Sequence, residues 1–319
     1  MRVVCMGELL IDFVALGSGV TVGEASGFQK APGGAPANVA VAIKRLGLES
    51  AFLTQLGDDP FGHYLAGVLA DEAIDVSGIK FSKDARTMLA FVSLREDGER
   101  SFMFYRHPSA DMLMTPDDID KTVIDNADLF HFGSITMISS PAKEATLFAA
   151  QYAQEQGKLI AYDPNLRLAL WDDEASARAG MRLGLDYANI VKISDEEASL
   201  VLEEGEAVTD LFDKFAQIDL IMLTRGSGGC TVYLRDGSSY DHAGYKVTSV
   251  DTTGAGDSFM AGIIVGVLEQ LDGTRDFSKI DFETVLTLAN ASGAMATMGR
   301  GAIPSLPTRA EVDAFLESV

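Results

Sequence analysis

An α/β chain, with a mostly parallel sheet covered by helices on both faces, is the fold class that three features of the sequence predict. Between residues 128 and 235 short apolar runs alternate with helical segments, the pattern of repeated βα units. Each of those runs ends in polar or glycine-rich sequence, and ligands of parallel sheets bind at the carboxyl ends of the strands. Near the C-terminus a glycine turn, Gly254-Ala255-Gly256-Asp257, opens an apolar helix. A chain of 319 residues with 47% apolar content can bury one large core.

The first element is a strand at Val3 to Met6, which ends at Gly7-Glu8 and is expected to run on through Leu10 and Ile11 to Asp12. Glu8 and Asp12 interrupt the apolar run after Arg2, so the segment reads as a buried strand and not a signal peptide. Residues 13–31 carry Gly, Val, Ser and Thr without helical period and predict a small β flap. In Pro32-Gly33-Gly34-Ala35-Pro36-Ala37-Asn38-Val39-Ala40 the paired glycines let backbone approach a ligand, and Pro36 suits a first helical turn. Val39, Ile43 and Leu46 give that helix a buried face, with Asn38 projecting from its first turn. Gly57-Asp58-Asp59 with Gly62 repeats the combination of glycine and acid.

From Thr87 to Tyr105 apolar and polar residues alternate across Glu96-Asp97-Gly98-Glu99, a β-hairpin pattern. The hairpin is assigned to the flap, which then comprises roughly residues 13–31 and 87–106 of a single domain. Strands are expected at Leu129 to Phe132, Leu159 to Tyr162, Ile190 to Ile193 and Leu220 to Leu223. Helices are expected from Pro141 to Gln154, near 174–186 and from Asp195. The strands end at Gly133-Ser134, at Asp163-Pro164-Asn165-Leu166-Arg167, at Ser194-Asp195-Glu196-Glu197 and at Thr224-Arg225-Gly226-Ser227-Gly228-Gly229. Ala296 to Ser305 reads as a turn-rich loop, and a last helix from Thr308 turns Val312, Phe315 and Leu316 inward.

Composition narrows the function. A net charge of −22, from 47 acidic and 25 basic residues with no basic stripe, argues against duplex nucleic acid and anionic membranes as partners. The longest other apolar run, Phe259 to Leu268, is far short of the roughly 18 to 20 residues that cross a bilayer. Cys5 and Cys230 sit in strand-like stretches with no ligand spacing around them, so inert core thiols in a reducing cytoplasm are expected. His63, His107, His131 and His242 lack metal spacing and, with Trp171, read as structural.

The chemistry lies in Asp251-Thr252-Thr253-Gly254-Ala255-Gly256-Asp257-Ser258-Phe259-Met260-Ala261-Gly262. A glycine turn opening a helix presents unpaired N–H groups at the positive end of the helix dipole, which makes an anion site. A carboxylate there repels the anion unless its task is to take a proton from whatever attacks that anion. Asp257 beside this turn therefore points to phosphoryl transfer to an alcohol. A bare Gly-x-Gly-Asp would more often be a plain helix cap.

The whole stretch resembles the C-terminal signature of the ribokinase-like, or PfkB, family of sugar kinases, and Pro32 to Ala40 resembles its N-terminal signature. The resemblance implies a ribokinase-like fold whose small sheet acts as a lid. It implies that Asp257 is the catalytic base and that the N–H groups of Gly254, Ala255, Gly256 and Asp257 hold the transferring phosphoryl group. Asp12, Gly33, Gly34 and Asn38 would bind the sugar. Phe104-Tyr105-Arg106-His107-Pro108-Ser109-Ala110-Asp111-Met112-Leu113 is similar to fructokinases of the family, which adds Phe104 and Arg106 to the sugar side. Thr224, Gly226 and Gly229 match the loop along ATP, and Asn290 matches a residue beside the adenine or is a satisfied helix side chain.

Glu197 matches the acid that organises magnesium and phosphate, although Ser194 stands where the family has asparagine. Lys192 and Arg167 would add positive charge for the phosphates. Asp251 and Thr253, with Ala296, Gly299, Gly301 and Ser305, match a monovalent-cation site. The implied activity is ATP-dependent phosphorylation of the primary alcohol of D-fructose, giving fructose 6-phosphate and ADP, with Mg²⁺ required and K⁺ activating. A homodimer through the lid is the oligomer this resemblance suggests. Rival readings are a 2-keto-3-deoxygluconate kinase, a ribose or nucleoside kinase, and a catalytically silent sugar sensor. A nicotinamide-dependent dehydrogenase is disfavoured because no Gly-x-Gly-x-x-Gly follows the first strand.

Overall fold

In a computed structural model of the protein, which describes residues 1–94, 100–271, 273 and 275–319, the N-terminal run forms β1 (Arg2–Met6) inside the main sheet. The chain continues with β2 (Leu10–Ser18), β3 (Phe28–Gly33), α1 (Ala35–Arg45), β4 (Glu49–Gly57), α2 (Pro60–Asp71), β5 (Ile79–Ser82), β6 (Leu89–Leu94) and β7 (Arg100–Tyr105). Strand and helix then alternate through α3 (Lys121–Asp125), β8 (Leu129–Phe132), α4 (Ala142–Glu155), β9 (Leu159–Tyr162), α5 (Glu174–Leu185), β10 (Ile190–Ser194), α6 (Asp195–Val201), α7 (Leu211–Lys214) and β11 (Leu220–Thr224). β12 (Cys230–Leu234) and β13 (Ser239–His242) precede α8 (Ala255–Gln270), α9 (Phe282–Ala296), α10 (Ala302–Ser305) and α11 (Arg309–Leu316).

Among the described residues the main sheet runs β13-β12-β11-β10-β9-β8-β1-β4-β5. It is parallel except at the edge where β12 and β13 return antiparallel. Successive residues of a strand face opposite sides of the sheet, so Val3 and Cys5 enter one core and Val4 and Met6 the other. The first core is completed by α1, α8 and α9 through Val39, Ile43, Ile263, Val267, Val285 and Ala289. The second is completed by α4, α5 and α7 through Ala145, Ala149, Met181, Leu185 and Phe212. No helix among the described residues is long and apolar enough to cross a membrane.

A separate four-stranded sheet, ordered β3-β2-β6-β7, is the flap expected from the sequence. Phe13 ties it together by stacking on Phe91 at 5.0 Å and meeting Phe61 of α2 edge-on at 5.8 Å. The turn expected at Glu96 to Glu99 lies outside the described residues. Two boundaries differ from the sequence reading. Leu10 to Asp12 do not prolong β1 but begin β2, because the alternation serves two cores: Leu9 and Ile11 stay in the main one while Leu10 packs on Met88 and Ala90 of the flap. Ala296 to Ser305 is not all loop, since Ala296 closes α9 and the buried Ala302 and Ile303 form a helical turn, α10.

The two helices under the C-terminal signature touch at Gly262, where an added Cβ would lie 2.6 Å from Ala289 Cα and 3.1 Å from its nitrogen. In an unconstrained helix Gly→Ala stabilises by about 0.8–1 kcal/mol, but here overlap with backbone reverses the sign. Gly262→Ala is expected to lose about 1–3 kcal/mol of stability in urea unfolding. A variant as stable as the parent, or more so, would show that α8 and α9 do not approach this closely.

Candidate active site

β1 and β8 are neighbours, paired in register from Val3↔Leu129 to Met6↔Phe132, yet the chain leaves them in opposite directions across the sheet. Such a topological switch opens a crevice at the carboxyl ends of the strands. There Glu8, Gly133, Ser134, Asp163 and Asn165 converge with Asp257 around a cavity of about 10 Å³.

Asp257 lies in the first turn of α8, a 16-residue helix that starts after Gly254 in the left-handed conformation at φ 83°. A side chain at position 254 would also press on Ala302, with its Cβ 3.0 Å from that of Ala302. The Asp257 carboxylate is buried and held from two sides: Asn38 Nδ2 donates to Oδ2 at 2.8 Å and Asn165 Nδ2 donates to Oδ1 at 3.1 Å. Burial raises its pKa, against lowering by the Asn38 hydrogen bond, by the Lys192 and Arg167 charges and by Asn165. Two neutral amides thus fix the carboxylate's orientation, while burial makes it a stronger base than an exposed aspartate, which suits abstraction of an alcohol proton. The N–H of Ala255, expected to face an anion, donates to the Thr252 carbonyl at 3.3 Å.

Lys192 stands on the other side of the turn. Its Nζ pairs with Asp163 Oδ2 at 2.7 Å and lies 3.4 Å from where a Gly256 Cβ would be. Burial works against its charge, but Asp163, Glu197 and Asp257 outweigh that and raise its pKa. Glu197 is tied into the protein: Oε1 accepts the Leu166 N–H at 2.7 Å and Oε2 the Ser194 N–H at 2.9 Å, while Ser194 caps α6 by accepting the Glu197 N–H. Ser194 therefore acts as a helix cap, and Glu197 anchors the segment that carries Asn165. Thr224 ends β11 directly beside Ser194, with Gly226 and Gly229 following in left-handed conformations. Asn290 is buried and bonded to the Leu286 carbonyl at 2.8 Å and to Cys230 Sγ at 3.3 Å; it is a satisfied helix side chain. Cys5 and Cys230 are buried thiols whose pKa burial raises.

On the opposite side, Asp12 in β2 faces β3, and a Cβ on Gly33 would collide with Asp12 Oδ2, so the bare glycine lets the carboxylate lie over the backbone. Gly34 precedes α1, and the Asn38 Oδ1 is buried without a hydrogen-bond partner. Phe104 packs with Leu10, Met88, Ala90 and Leu170. Arg106 is buried and committed elsewhere: Nε and Nη2 both donate to Asp111 Oδ2, at 3.1 and 2.9 Å, and Nη2 also to the Ile135 carbonyl. Arg167 is exposed and donates to the Leu166 carbonyl.

The 251–253 and 297–301 segments come together as expected. Asp251 Oδ1 accepts from Thr253 N–H and hydroxyl at 3.0 and 2.7 Å, and Oδ2 accepts the Gly301 N–H at 3.0 Å. Ser305 sits against Gly299, whereas Ala296 is buried at the end of α9. Among the described residues no group of three or more His, Cys, Asp or Glu side chains is arranged to hold a metal ion. Sequence reasoning placed Asp163 and Asn165 only collectively, in a strand-end loop resembling the nucleotide side of the site, and gave Glu8 and His131 no site role. Asn165 has a left-handed backbone, φ 46°, which aims its amide in a way that no residue pattern announces; the Asp-Pro-Asn run after a parallel strand was the available signal.

Residues 1–309 match the family model described as pfkB family carbohydrate kinase. Fructokinase-1 of Zea mays is 46% identical over 317 residues, 99% of this chain and 97% of that protein. A fructokinase of Solanum tuberosum is 46% identical over 321 residues, 99% and 95% of the two chains. Among solved structures, a fructokinase from Xylella fastidiosa with bound ATP superposes with TM-score 0.89 at 32% identity, covering 99% of this chain and 98% of that one. A Vibrio cholerae O395 fructokinase double mutant, bound to fructose, ADP and a potassium ion, gives 0.85 at 33% identity over 99% and 98%. The chain belongs to the PfkB family of carbohydrate kinases.

Proposed function

We propose that the protein transfers the γ-phosphoryl group of ATP to the primary alcohol of D-fructose, giving fructose 6-phosphate and ADP. The observation that carries the chemistry is the buried Asp257 carboxylate, clamped by Asn38 and Asn165 in the first turn of α8. The likeness to fructokinases over nearly the whole chain supports the substrate. In this reading the sugar hydroxyl donates its proton to Asp257 as its oxygen attacks the γ-phosphorus. The helix N-terminus, Lys192 and Arg167 stabilise the charge on the transferring group, and they counter a chain whose net charge of −22 otherwise repels ATP.

Asp12, the Gly33-Gly34 backbone and the unpartnered Asn38 Oδ1 suit a polyhydroxy ligand. A neutral sugar is favoured over a sugar acid because Arg106 is already neutralised by Asp111. The four-stranded sheet acts as a lid that keeps out water, the competing nucleophile. Its exposed Val14, Leu16, Phe102, Met103 and Tyr105 suit a second copy of the lid.

Asp163 and Glu197, beside Lys192, have hydrogen bonds of their own and form no metal cluster, which fits magnesium carried on the ATP phosphates and only steered by these acids. Bound there, magnesium would neutralise charge on the phosphate oxygens. The oxygens of Asp251, Thr253 and the 297–301 segment suit a monovalent cation, which would brace the turn before Asp257.

Asp257→Asn is expected to fold and bind ATP and sugar while turnover falls by roughly 10² to 10⁴-fold, the usual worth of a positioned base; activity within a few-fold of the parent would remove Asp257 from the mechanism. Replacing Na⁺ or Li⁺ by K⁺ at constant ionic strength should raise activity. Indifference to the cation would leave the 251–253 and 297–301 contacts purely structural. In a panel scored by ADP release, fructose should show a higher kcat/KM than ribose, adenosine or 2-keto-3-deoxygluconate. Asp12→Ala should cost about 2–4 kcal/mol of transition-state stabilisation with fructose, through hydroxyls left without a charged partner. Preference for the sugar acid would overturn the substrate and leave the kinase chemistry standing.

A further inference from the structure

The cavity beside Asp257, about 10 Å³, brings together side chains from four parts of the chain: Glu8 after β1, His131 on β8, Asp163 after β9 and Asp257 on α8. That volume suits one water molecule, and a buried water needs two to four polar partners. His131 offers one. Its Nδ1 is buried without a hydrogen-bond partner, while the Ala161 backbone bonds to the ring. Burial pulls the imidazole pKa down to about 3, so the ring is neutral and Nδ1 is an acceptor suited to a water O–H.

Glu8 offers another. It is 2% exposed, and its Oε1 accepts the Ala35 N–H at 2.9 Å, which fixes the first turn of α1. Burial pushes this carboxyl up to about 7, against lowering by its own and the Ala35 N–H groups; Asp111 raises it further and Arg106 lowers it. Across the cavity it meets Asp257, the neutral His131 and Asp163, itself paired with Lys192. Burial therefore holds the Glu8 carboxyl well above the usual carboxylate range, in the lining of the cavity that Asp257 also lines.

We propose that one water molecule in this cavity links Asp257 to Glu8, and that Glu8 receives the proton Asp257 takes from the sugar hydroxyl. The hydroxyl O–H bond breaks and its proton goes to an Asp257 oxygen; Asp257 passes it to the water, and the water passes one of its own to Glu8. The water is unchanged, Asp257 is again a carboxylate and Glu8 is neutral until the proton leaves with the opening of the site. Moving the proton away from Asp257 keeps it from returning to the sugar-phosphate oxygen. The inference rests on Asp257 being the base.

Glu8→Gln keeps an oxygen for the Ala35 N–H but has no carboxylate to protonate. Its kcat above pH 8 should fall by about tenfold, less than the roughly 10²-fold or more that the positioned base itself contributes. The parent should show an acid limb in its kcat profile from protonation of Glu8, whose pKa burial pushes up to about 7, and in Glu8→Gln that limb should vanish while both KM values hold. A Glu8→Gln enzyme with parental kcat and an unshifted acid limb overturns the relay. A high-resolution crystal structure of the parent provides a readout that does not depend on that variant folding: density for a water within hydrogen-bond reach of both Asp257 and Glu8 supports the proposal, and no such density overturns it. Asp257→Asn separates the two readings, since an inactive Asp257→Asn beside a parental Glu8→Gln removes the relay alone. A fully active Asp257→Asn removes base and relay together.

Discussion

Everything in the proposed active site depends on holding a buried carboxylate in the first turn of a helix whose N-terminus suits an anion. Burial pushes the Asp257 pKa up; the two amide hydrogen bonds and the Lys192 and Arg167 charges act against it. The clamp is built from distant parts of the chain. Asn38 comes from the first turn of α1 and Asn165 from the segment after β9, 219 and 92 residues from Asp257 in sequence, so neither amide arrives unless the sheet is assembled in its observed order. The fold and the orientation of the base are therefore one problem. Gly262, which lets α8 sit directly on α9, and the Glu197 bonds, which pin the Asn165 segment, belong to the same scaffold although neither approaches the reacting atoms as closely.

Charge is distributed on the same logic. A chain this acidic is a poor partner for a polyanionic nucleotide at long range, and screening limits that repulsion to about 8–10 Å at ordinary ionic strength. Inside that distance the local arrangement decides: among several carboxylates, Lys192 beside the turn and paired with Asp163, the exposed Arg167 and the helix N–H groups are the positive ends available to a phosphate. Arg106 shows the reverse case, a guanidinium whose charge is spent on Asp111 and a carbonyl. It holds the end of the lid strand β7 to the segment after β8, a structural role that its place in a family motif does not reveal.

The sequence made the architecture legible because strands buried on both faces read as short unbroken apolar runs between helical patterns, as at Val3 to Met6 and at the four strands from Leu129 to Leu223. It failed where one segment serves two cores, at Leu10 to Asp12, and where burial of Ala302 and Ile303 imposes a helical turn on glycine-rich sequence. Asn38 was singled out in the first turn of its helix, but not its bond to Asp257, whereas Asp257 and its glycine turn were readable because local spacing sets their geometry. Asn165, Asp163, His131 and Glu8 were not, because what makes them part of the site is long-range convergence at the switch between β1 and β8. Ser194 and Glu197 sit between these cases: a family pattern drew attention to them, and the hydrogen bonds show a capping box that anchors a loop.

The central claim is that the amide clamp orients Asp257 for proton abstraction, and its most direct test is the chemical step in Asn165→Ala. Rapid-quench single turnovers with saturating fructose and ATP, alongside equilibrium binding of each, separate orientation from affinity. The account predicts a chemical step slower by about tenfold or more, as expected for a misdirected catalytic group, with both binding constants near those of the parent. A parental chemical step in Asn165→Ala, with Asp257 still essential, would contradict the claim that this clamp aims the base.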